Sequence, residues 1–310
     1  MNKQAVAVSK NPKEFSFIDG LLRIPAGAVA EEPIPVSAFL SGIEGAPVQT
    51  LSVEVGEGAK ATVVIRYESG EAESGHVRSA LALRVAQGAE LDLVITSALP
   101  VTLTRDAVGV ATVAEGAVLR WTEVIFDQGK GRYTTTVDLA GRAAQVDFAG
   151  AYTAAATTWR EHALSENHLA PMTRSRALLK SALRDSGHLL FSGLIRVDPA
   201  APGTDAYLSN RNLILDDGAR AESLPQLKIE TDDVACTHGS TTGGPRDEEL
   251  FYLMSRGLDR LTARNMLALG HLGGVLDRAP AALAAELEEI ATRALGGETD
   301  LRSSQAEGVA

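Results

Sequence analysis

The sequence predicts a mainly-β fold, a solenoid of short stacked coils, followed by a small α-helical unit at the C-terminal end. Three observations carry this expectation. A turn made of Gly and a small neighbour recurs along the chain, short stretches between the turns alternate apolar and polar residues, and the apolar spacing changes from strand-like to helical after Arg246.

The turn comes first. It reads Ala26-Gly27-Ala28-Val29, Glu57-Gly58-Ala59, Gln87-Gly88-Ala89-Glu90-Leu91, Glu115-Gly116-Ala117-Val118-Leu119, Ala140-Gly141-Arg142-Ala143 and Asp217-Gly218-Ala219. Over the first five the glycines stand 31, 30, 28 and 25 residues apart, a loose period. Glycine reaches positive φ without steric penalty, so it suits a repeated corner, and a small neighbour lets corners stack. Between corners, Leu51-Ser52-Val53-Glu54-Val55, Ala61 to Tyr67 and Leu91-Asp92-Leu93-Val94-Ile95 alternate as half-buried strands do. An antiparallel sandwich would show the same alternation; the repeated corner chemistry favours the solenoid.

After Arg246, Asp247-Glu248-Glu249 place acid in a first helical turn, Leu250, Leu253 and Met254 follow at helical spacing, and Gly257 stops the run. A second helix is expected from near Asp259 with Leu261, Met266 and Leu269 inside. A third is expected from Pro280 with Leu283, Leu287, Ile290 and Ala294 on one face and Gly296-Gly297 as its stop. The expected division is a lead segment over 1–40, a β core over 41–245, a helical domain over 246–297 and a frayed tail over 298–310.

Composition narrows the function. Lys and Arg number 29 against 40 Asp and Glu, a net charge of −11, which disfavours nucleic acid as a partner. Aromatics are 5% of the chain, so the core must be built from small and β-branched side chains. Met1 to Phe15 has no apolar signal core, and no stretch approaches the roughly 20 apolar residues of a spanning helix. A cytoplasmic, soluble protein is expected. Gly129-Lys130-Gly131 lacks the rest of a nucleotide-binding P-loop, and no H-E-x-x-H, C-x-x-C, G-x-S-x-G or Rossmann glycine motif is present. ATP hydrolysis by this chain is therefore not expected.

One segment concentrates chemistry: Leu227-Lys228-Ile229-Glu230-Thr231-Asp232-Asp233-Val234-Ala235-Cys236-Thr237-His238-Gly239. Read as one strand, it buries Leu227 and Ile229 and turns Cys236 and His238 together to the other face. Thiolate and imidazole make a half-site for iron or zinc. Cys236 is the only cysteine, so it cannot supply a four-thiolate site alone. Two other readings stay open: Cys236 as a small buried hydrophobe with His238 capping a turn, and a Cys/His-dependent enzyme acting on a small substrate. His162 and His168 are read as structural or surface residues.

Ala206 to Asn210, Asn212-Leu213-Ile214-Leu215, Gly218-Ala219-Arg220-Ala221, Pro225-Gln226-Leu227, Ile229-Glu230, Asp232-Asp233-Val234, Cys236, His238-Gly239 and Phe251-Tyr252-Leu253 with Ser255-Arg256-Gly257-Leu258 closely resemble the C-terminal signature of SufD-type members of the SufB/SufD family. His162, His168, Pro171, Ser175, Phe191, Gly193, Ile195 and Val197 fall in the family's order ahead of it, so the resemblance covers roughly Thr158 to Leu272. It implies a right-handed parallel β-helix with a helical C-terminal domain, acting as a non-catalytic scaffold of the SUF machinery for iron–sulfur cluster assembly. It implies pairing with SufB or a second copy, and docking of the ABC-type ATPase SufC, for which Phe251, Tyr252 and Arg256 are candidates. It also implies a transient cluster shared with the partner chain through His238, with Cys236 beside it. A plain β-solenoid interaction module without a metal role is the remaining alternative. The resemblance departs in two places. The lead before the β repeats is short where SufD-type members carry a helical region, which adds the expectation of a compact two-component system built on a homodimer. Gly270-His271 stands where the family has Gly-Phe.

Overall fold

The computed structural model describes residues 6–8, 16–42, 48–70, 73–156 and 158–295. The expected tail over 298–310, the stop at Gly296-Gly297 and most of the first 15 residues lie outside the described residues.

The strands, in chain order, are β1 Val6–Val8, β2 Ser16–Ile18, β3 Leu21–Ile24, β4 Ile34–Phe39, β5 Gln49–Val55 and β6 Lys60–Glu68. There follow β7 Gly75–Val85, β8 Glu90–Ser97, β9 Leu103–Val113, β10 Val118–Ile125, β11 Gly131–Leu139 and β12 Gln145–Ala154. The last are β13 Trp159–His168, β14 Arg174–Leu183, β15 His188–Val197, β16 Thr204–Ile214, β17 Arg220–Ile229 and β18 Val234–Gly243. From β3 onward the chain alternates between two sheets, and each strand pairs in parallel with the strand two places on. This is a β-solenoid. The first sheet runs β1-β4-β6-β8-β10-β12-β14-β16-β18 and the second β17-β15-β13-β11-β9-β7-β5-β3-β2; only β1–β4 and β2–β3 are antiparallel.

The recurring corner leads from the second sheet to the first. Gly27, Gly58, Gly88, Gly116, Ala143, Met172 and Gly203 all sit there at positive φ. Each donates its N–H to a carbonyl of the next coil: Gly27 to Glu57 at 2.8 Å, Gly88 to Glu115 at 2.9 Å, Met172 to Pro202 at 2.8 Å and Gly203 to Asp233 at 2.7 Å. The glycine spacing falters at 25 because Ala143, not Gly141, takes the left-handed position in that coil. Gly141 is needed for another reason: a Cβ there would lie 2.0 Å from the Glu115 nitrogen of the preceding coil. Gly218, grouped with these turns by sequence, lies on the opposite corner, between β16 and β17. The two kinds of glycine separate by mutation. Gly116→Ala, whose Cβ meets nothing, should cost about 1–2 kcal/mol of left-handed strain. Gly141→Ala must push two coils apart, and thermal unfolding should show it to be the more damaging change.

Two cores result. The main one lies between the sheets and runs from Leu22 to Leu208. The second lies outside the first sheet, where Val64, Val94, Val124, Phe126, Ala149 and Ala182 meet the C-terminal helices. Strands covered on both faces read as continuous apolar runs, and Val63-Val64-Ile65 and Val124-Ile125-Phe126 are such runs.

The helical unit contains α1 Asp247–Ser255, α2 Arg260–Leu276, a 3-10 turn at Ala281–Leu283 and α3 Ala284–Ala294. α1 ends in a Schellman arrangement, with Gly257 at φ 94° donating to Met254 and Leu258 donating to Leu253. Asp259 caps α2 by accepting from the Leu261 and Thr262 N–H groups at 2.9 and 3.0 Å. Leu261 and Met266 are not buried, as their spacing predicts, but 49% and 43% exposed. Small Ala263 and Ala268, with Leu272 and Val275, form the inner face instead, because the helix lies close against the sheet. Ion pairs fasten the unit: Arg66 to Glu286 through two bonds of 3.0 Å, Arg278 to Asp147 at 2.5 Å and Arg264 to Asp216 at 2.7 Å. Among the described residues no helix is long and apolar enough to cross a membrane.

Candidate functional site

The Cys236 segment does not form one strand. β17 ends at Ile229, the chain changes sheets through residues 230–233, and β18 begins at Val234. Val234 bonds back to Asp232 at 3.1 Å, and the Asp233 carbonyl accepts from Gly203. Crossing a corner resets the strand phase, so Leu227 and Cys236 both pack against the main core instead of facing opposite ways. Ile229 is left 38% exposed.

The expected neighbours do share a face. Cys236 stands in register with Ala206 and His238 with Leu208, both fully buried inward-facing residues of the coil below. Cys236 and His238 therefore continue an inward row. β17 and β18 are the last strands of their sheets, so among the described residues no coil covers this row. Cys236 is half-buried and His238 exposed. The same row continues through Ser240 to Thr242, whose hydroxyl lies 3.2 Å from the Asn212 amide nitrogen. The site is the open end of a barrel-like interior.

Electrostatics limit what the thiol can do. Burial pushes the Cys236 thiol up, with Asp205 adding to this, while a hydrogen bond with the Ala206 backbone and the Arg176 charge pull the other way. A thiol held in its neutral form is a poor nucleophile, which weighs against the Cys/His enzyme. As a ligand it is released from that penalty once a cation replaces the proton. Among the described residues no three His, Cys, Asp or Glu side chains converge on one point.

The helical candidates are placed differently. Phe251 is 74% and Tyr252 57% exposed, so neither packs into the core. Arg256 lies over the Tyr252 ring, 5.3 Å from its centre. Leu250 alone buries α1. His271, by contrast, pins α2 to the sheet: its Nε2 lies 3.2 Å from the Arg211 carbonyl, and its own carbonyl accepts from Lys180 at 2.7 Å.

The profile described as "SUF system FeS cluster assembly, SufBD core domain" matches residues 39–271. The chain belongs to the SufBD family. It is 36% identical over 176 residues to an iron–sulfur cluster assembly SufBD family protein of Mycobacterium leprae, covering 54% of this chain and 45% of the relative. It is 34% identical over 195 residues to a namesake from Mycobacterium tuberculosis, covering 57% and 49%. With the iron–sulfur cluster assembly protein SufD of Escherichia coli the identity is 40% over 110 residues, 36% of this chain and 25% of that one. The matched stretch thus spans about half the length of the mycobacterial relatives, or less. In this SufBD-family chain the profile takes in every strand from β5 to β18 together with α1, and ends within α2.

Sequence reasoning missed the polar interior. His162 and His168 lie on the uninterrupted β13, both buried and inward-facing. His162 sits between the rings of Tyr133, 4.6 Å away, and Tyr152, 3.8 Å away. Arg105 and Asp127 form a buried pair at 3.4 Å. Asp127 also accepts from Ser97 at 2.5 Å, Tyr133 at 2.6 Å and the Leu99 N–H at 2.9 Å. Arg105 lies 4.1 Å from the Tyr67 ring centre. The signal was present: Glu123 stands two residues from Trp121 and two from Ile125, on the phase of a buried face.

Proposed function

We propose that this chain is a scaffold subunit of the SUF machinery, in which the open last coil receives a nascent iron–sulfur cluster and the helical unit receives the ATPase. The observation that carries the reading is the uncovered inward row, where one half-buried thiol and one exposed imidazole stand two residues apart on a terminal strand. Two donors need complement from outside the chain. β18, which carries the pair, and β17 are the terminal strands of their sheets among the described residues, and a free edge invites another strand. The partner is a SufB-type chain or a second copy, and the cluster is cargo shared between the two. Phe251, Tyr252 and Arg256 would dock a SufC-type ABC ATPase: aromatic and arginine side chains exposed together are the residue types that anchor interfaces. The chain itself binds no nucleotide in this reading and works in the cytoplasm.

Anaerobic reconstitution with iron and sulfide tests it. The wild type with its partner should develop cluster absorbance. His238→Ala should lower cluster yield on the order of tenfold while the thermal transition stays in place. Equal yields from His238→Ala and wild type would remove the site. Tagged full-length chain should carry an ABC-type ATPase through purification and lose it when residues 246–310 are deleted.

A further inference from the structure

The corner that holds Met172 is closed differently from those before it. In earlier coils the residue after the left-handed position closes the corner with its backbone N–H: Ala59 donates to Gly56, Ala89 to Ala86 and Ala144 to Gly141, each at 3.1 Å. After Met172 a side chain does this instead, the Thr173 hydroxyl donating to the Ala170 carbonyl at 3.1 Å. The corner keeps Met172, a non-glycine residue, at φ 59°.

That hydroxyl ends a buried chain of hydrogen bonds. His168 on β13 places Nδ1 2.8 Å from the Thr173 oxygen and Nε2 3.1 Å from the Ser175 oxygen, and Ser175 lies 3.2 Å from Oε2 of Glu166. Glu166, His168, Thr173 and Ser175 are all 0% exposed. A hydroxyl has one hydrogen to give and so has a neutral imidazole, so the direction of the bond at one end sets the direction throughout. A protonated Glu166 donates to Ser175, and Ser175 then donates to His168 Nε2. The ring carries its hydrogen on Nδ1 and gives it to Thr173, whose own hydrogen closes the Ala170 corner. An ionised Glu166 only accepts. Ser175 turns toward it, His168 supplies Ser175 from Nε2, and Nδ1 takes the Thr173 hydrogen away from Ala170. Thr204, 3.2 Å from the Thr173 oxygen, gives its hydrogen to the Ala201 carbonyl at 2.8 Å and offers no replacement.

The surroundings allow both directions. In register with Glu166 stand apolar Val137 on β11 and Ile195 on β15, and its Oε1 has no partner. The charges that act on it are Asp147 from β12 and Arg176 from β14, while Asp205 from β16 acts on His168. Burial favours the neutral carboxyl, raising Glu166 to about 8, and lowers His168 to about 4, so the ring stays uncharged while the carboxyl titrates.

We propose that Glu166, Ser175, His168 and Thr173 form a two-state relay that couples the charge of a buried carboxyl to closure of the Met172 corner. Glu166 gives one proton to solvent, the remaining hydrogens reverse, the imidazole exchanges its Nδ1 hydrogen for one on Nε2 and stays neutral, and Ala170 loses its donor. The relay is independent of the roles of Cys236 and His238.

The tautomer of His168 reads the direction. The chain has six histidines, and nitrogen-15 labelling of their rings in the full-length protein separates the two tautomers of each, with His168 assigned through its contact to Thr173. At about pH 6 the His168 hydrogen should sit on Nδ1, and at about pH 9.5 on Nε2. The Ala170 carbonyl carbon should shift upfield in the same titration, as a carbonyl does on losing a donor. Glu166→Gln should make the His168 tautomer independent of pH. A hydrogen already on Nε2 at about pH 6, or a tautomer that does not change up to about pH 9.5, overturns the proposal, as does a change that survives in Glu166→Gln. The first two observations are made on the wild type, so they decide the matter even where the glutamine variant fails to fold.

Discussion

Asp127→Ala should be among the most damaging single substitutions in this protein, at about 3–5 kcal/mol. The carboxylate accepts from Arg105, Ser97, Tyr133 and the Leu99 N–H inside the coil. Removing it leaves the Arg105 guanidinium buried without its ion-pair partner, and strands two hydroxyls and an amide. The pair is not a large net stabiliser, since burying two charges costs about what their attraction returns; the damage comes from breaking it one-sidedly. Replacing both members should therefore cost less than the sum of the two single losses. Chemical denaturation of Asp127→Ala, Arg105→Met and the double variant forms the cycle that measures this. Additive costs would show that the two side chains do not act as a unit.

A second large effect is on pH. Burial raises Glu123 to about 7 and Glu166 to about 8 from 4.5, so the native chain holds two protons that the unfolded chain releases. Glu123 faces the Tyr152 hydroxyl, with Arg105 nearby; Glu166 faces Ser175, with Asp147 and Arg176 acting from farther away. Burial also lowers His168 from 6.5 to about 4 and His162 well below 6.5, so the unfolded chain binds two protons that the native chain refuses. Stability rises with pH where the unfolded state holds more protons, and falls where the native state does. Between about pH 4.5 and 6.5 the two pairs cancel, and stability from these groups should be flat. From 6.5 to 8 the unfolded histidines are neutral while the native carboxyls still hold protons, so stability should fall by roughly 3 kcal/mol. Below 4.5 the unfolded chain gains the carboxyl protons as well, and stability should fall again. Glu123→Gln with Glu166→Gln should abolish the alkaline decline. A double variant whose melting temperature still drops between pH 6.5 and 8 by the wild-type amount would show that other groups drive it.

What the sequence made readable was whatever repeats locally. Gly27, Gly58, Gly88 and Gly116 marked their corners because each solves the same backbone problem with the same residue. Ala143 and Met172 occupy equivalent corners at a steric cost and leave no such mark, so the period was lost after Gly116. Cys236 and His238 were readable as neighbours because two-residue spacing survives in any strand. Their direction was not, because the corner at residues 230–233 hides between residues that read as one polar-rich strand. The Arg105–Asp127 and Tyr152–Glu123 contacts join residues 22 and 29 positions apart, the first between β9 and the connection after β10, the second between β12 and β10. No local pattern couples them. Leu261 and Met266 misled for a related reason: a helix lying on a flat sheet buries its alanines, and its longer side chains are turned outward.

The fastening of the helices has a consequence for how such a protein could grow. A coil in this architecture bonds only to its two neighbours, so an added coil lengthens the rod by about 4.8 Å and leaves distant coils alone. Glu286 reaches Arg66 on β6, Arg278 reaches Asp147 on β12, and Arg264 reaches Asp216 just past β16. The helices are thus a splint across that whole stretch, and an inserted coil anywhere beneath them would pull one strut out of reach. Lengthening is compatible with the splint only outside it, and a coil added ahead of β6 leaves the distance from splint to open end unchanged.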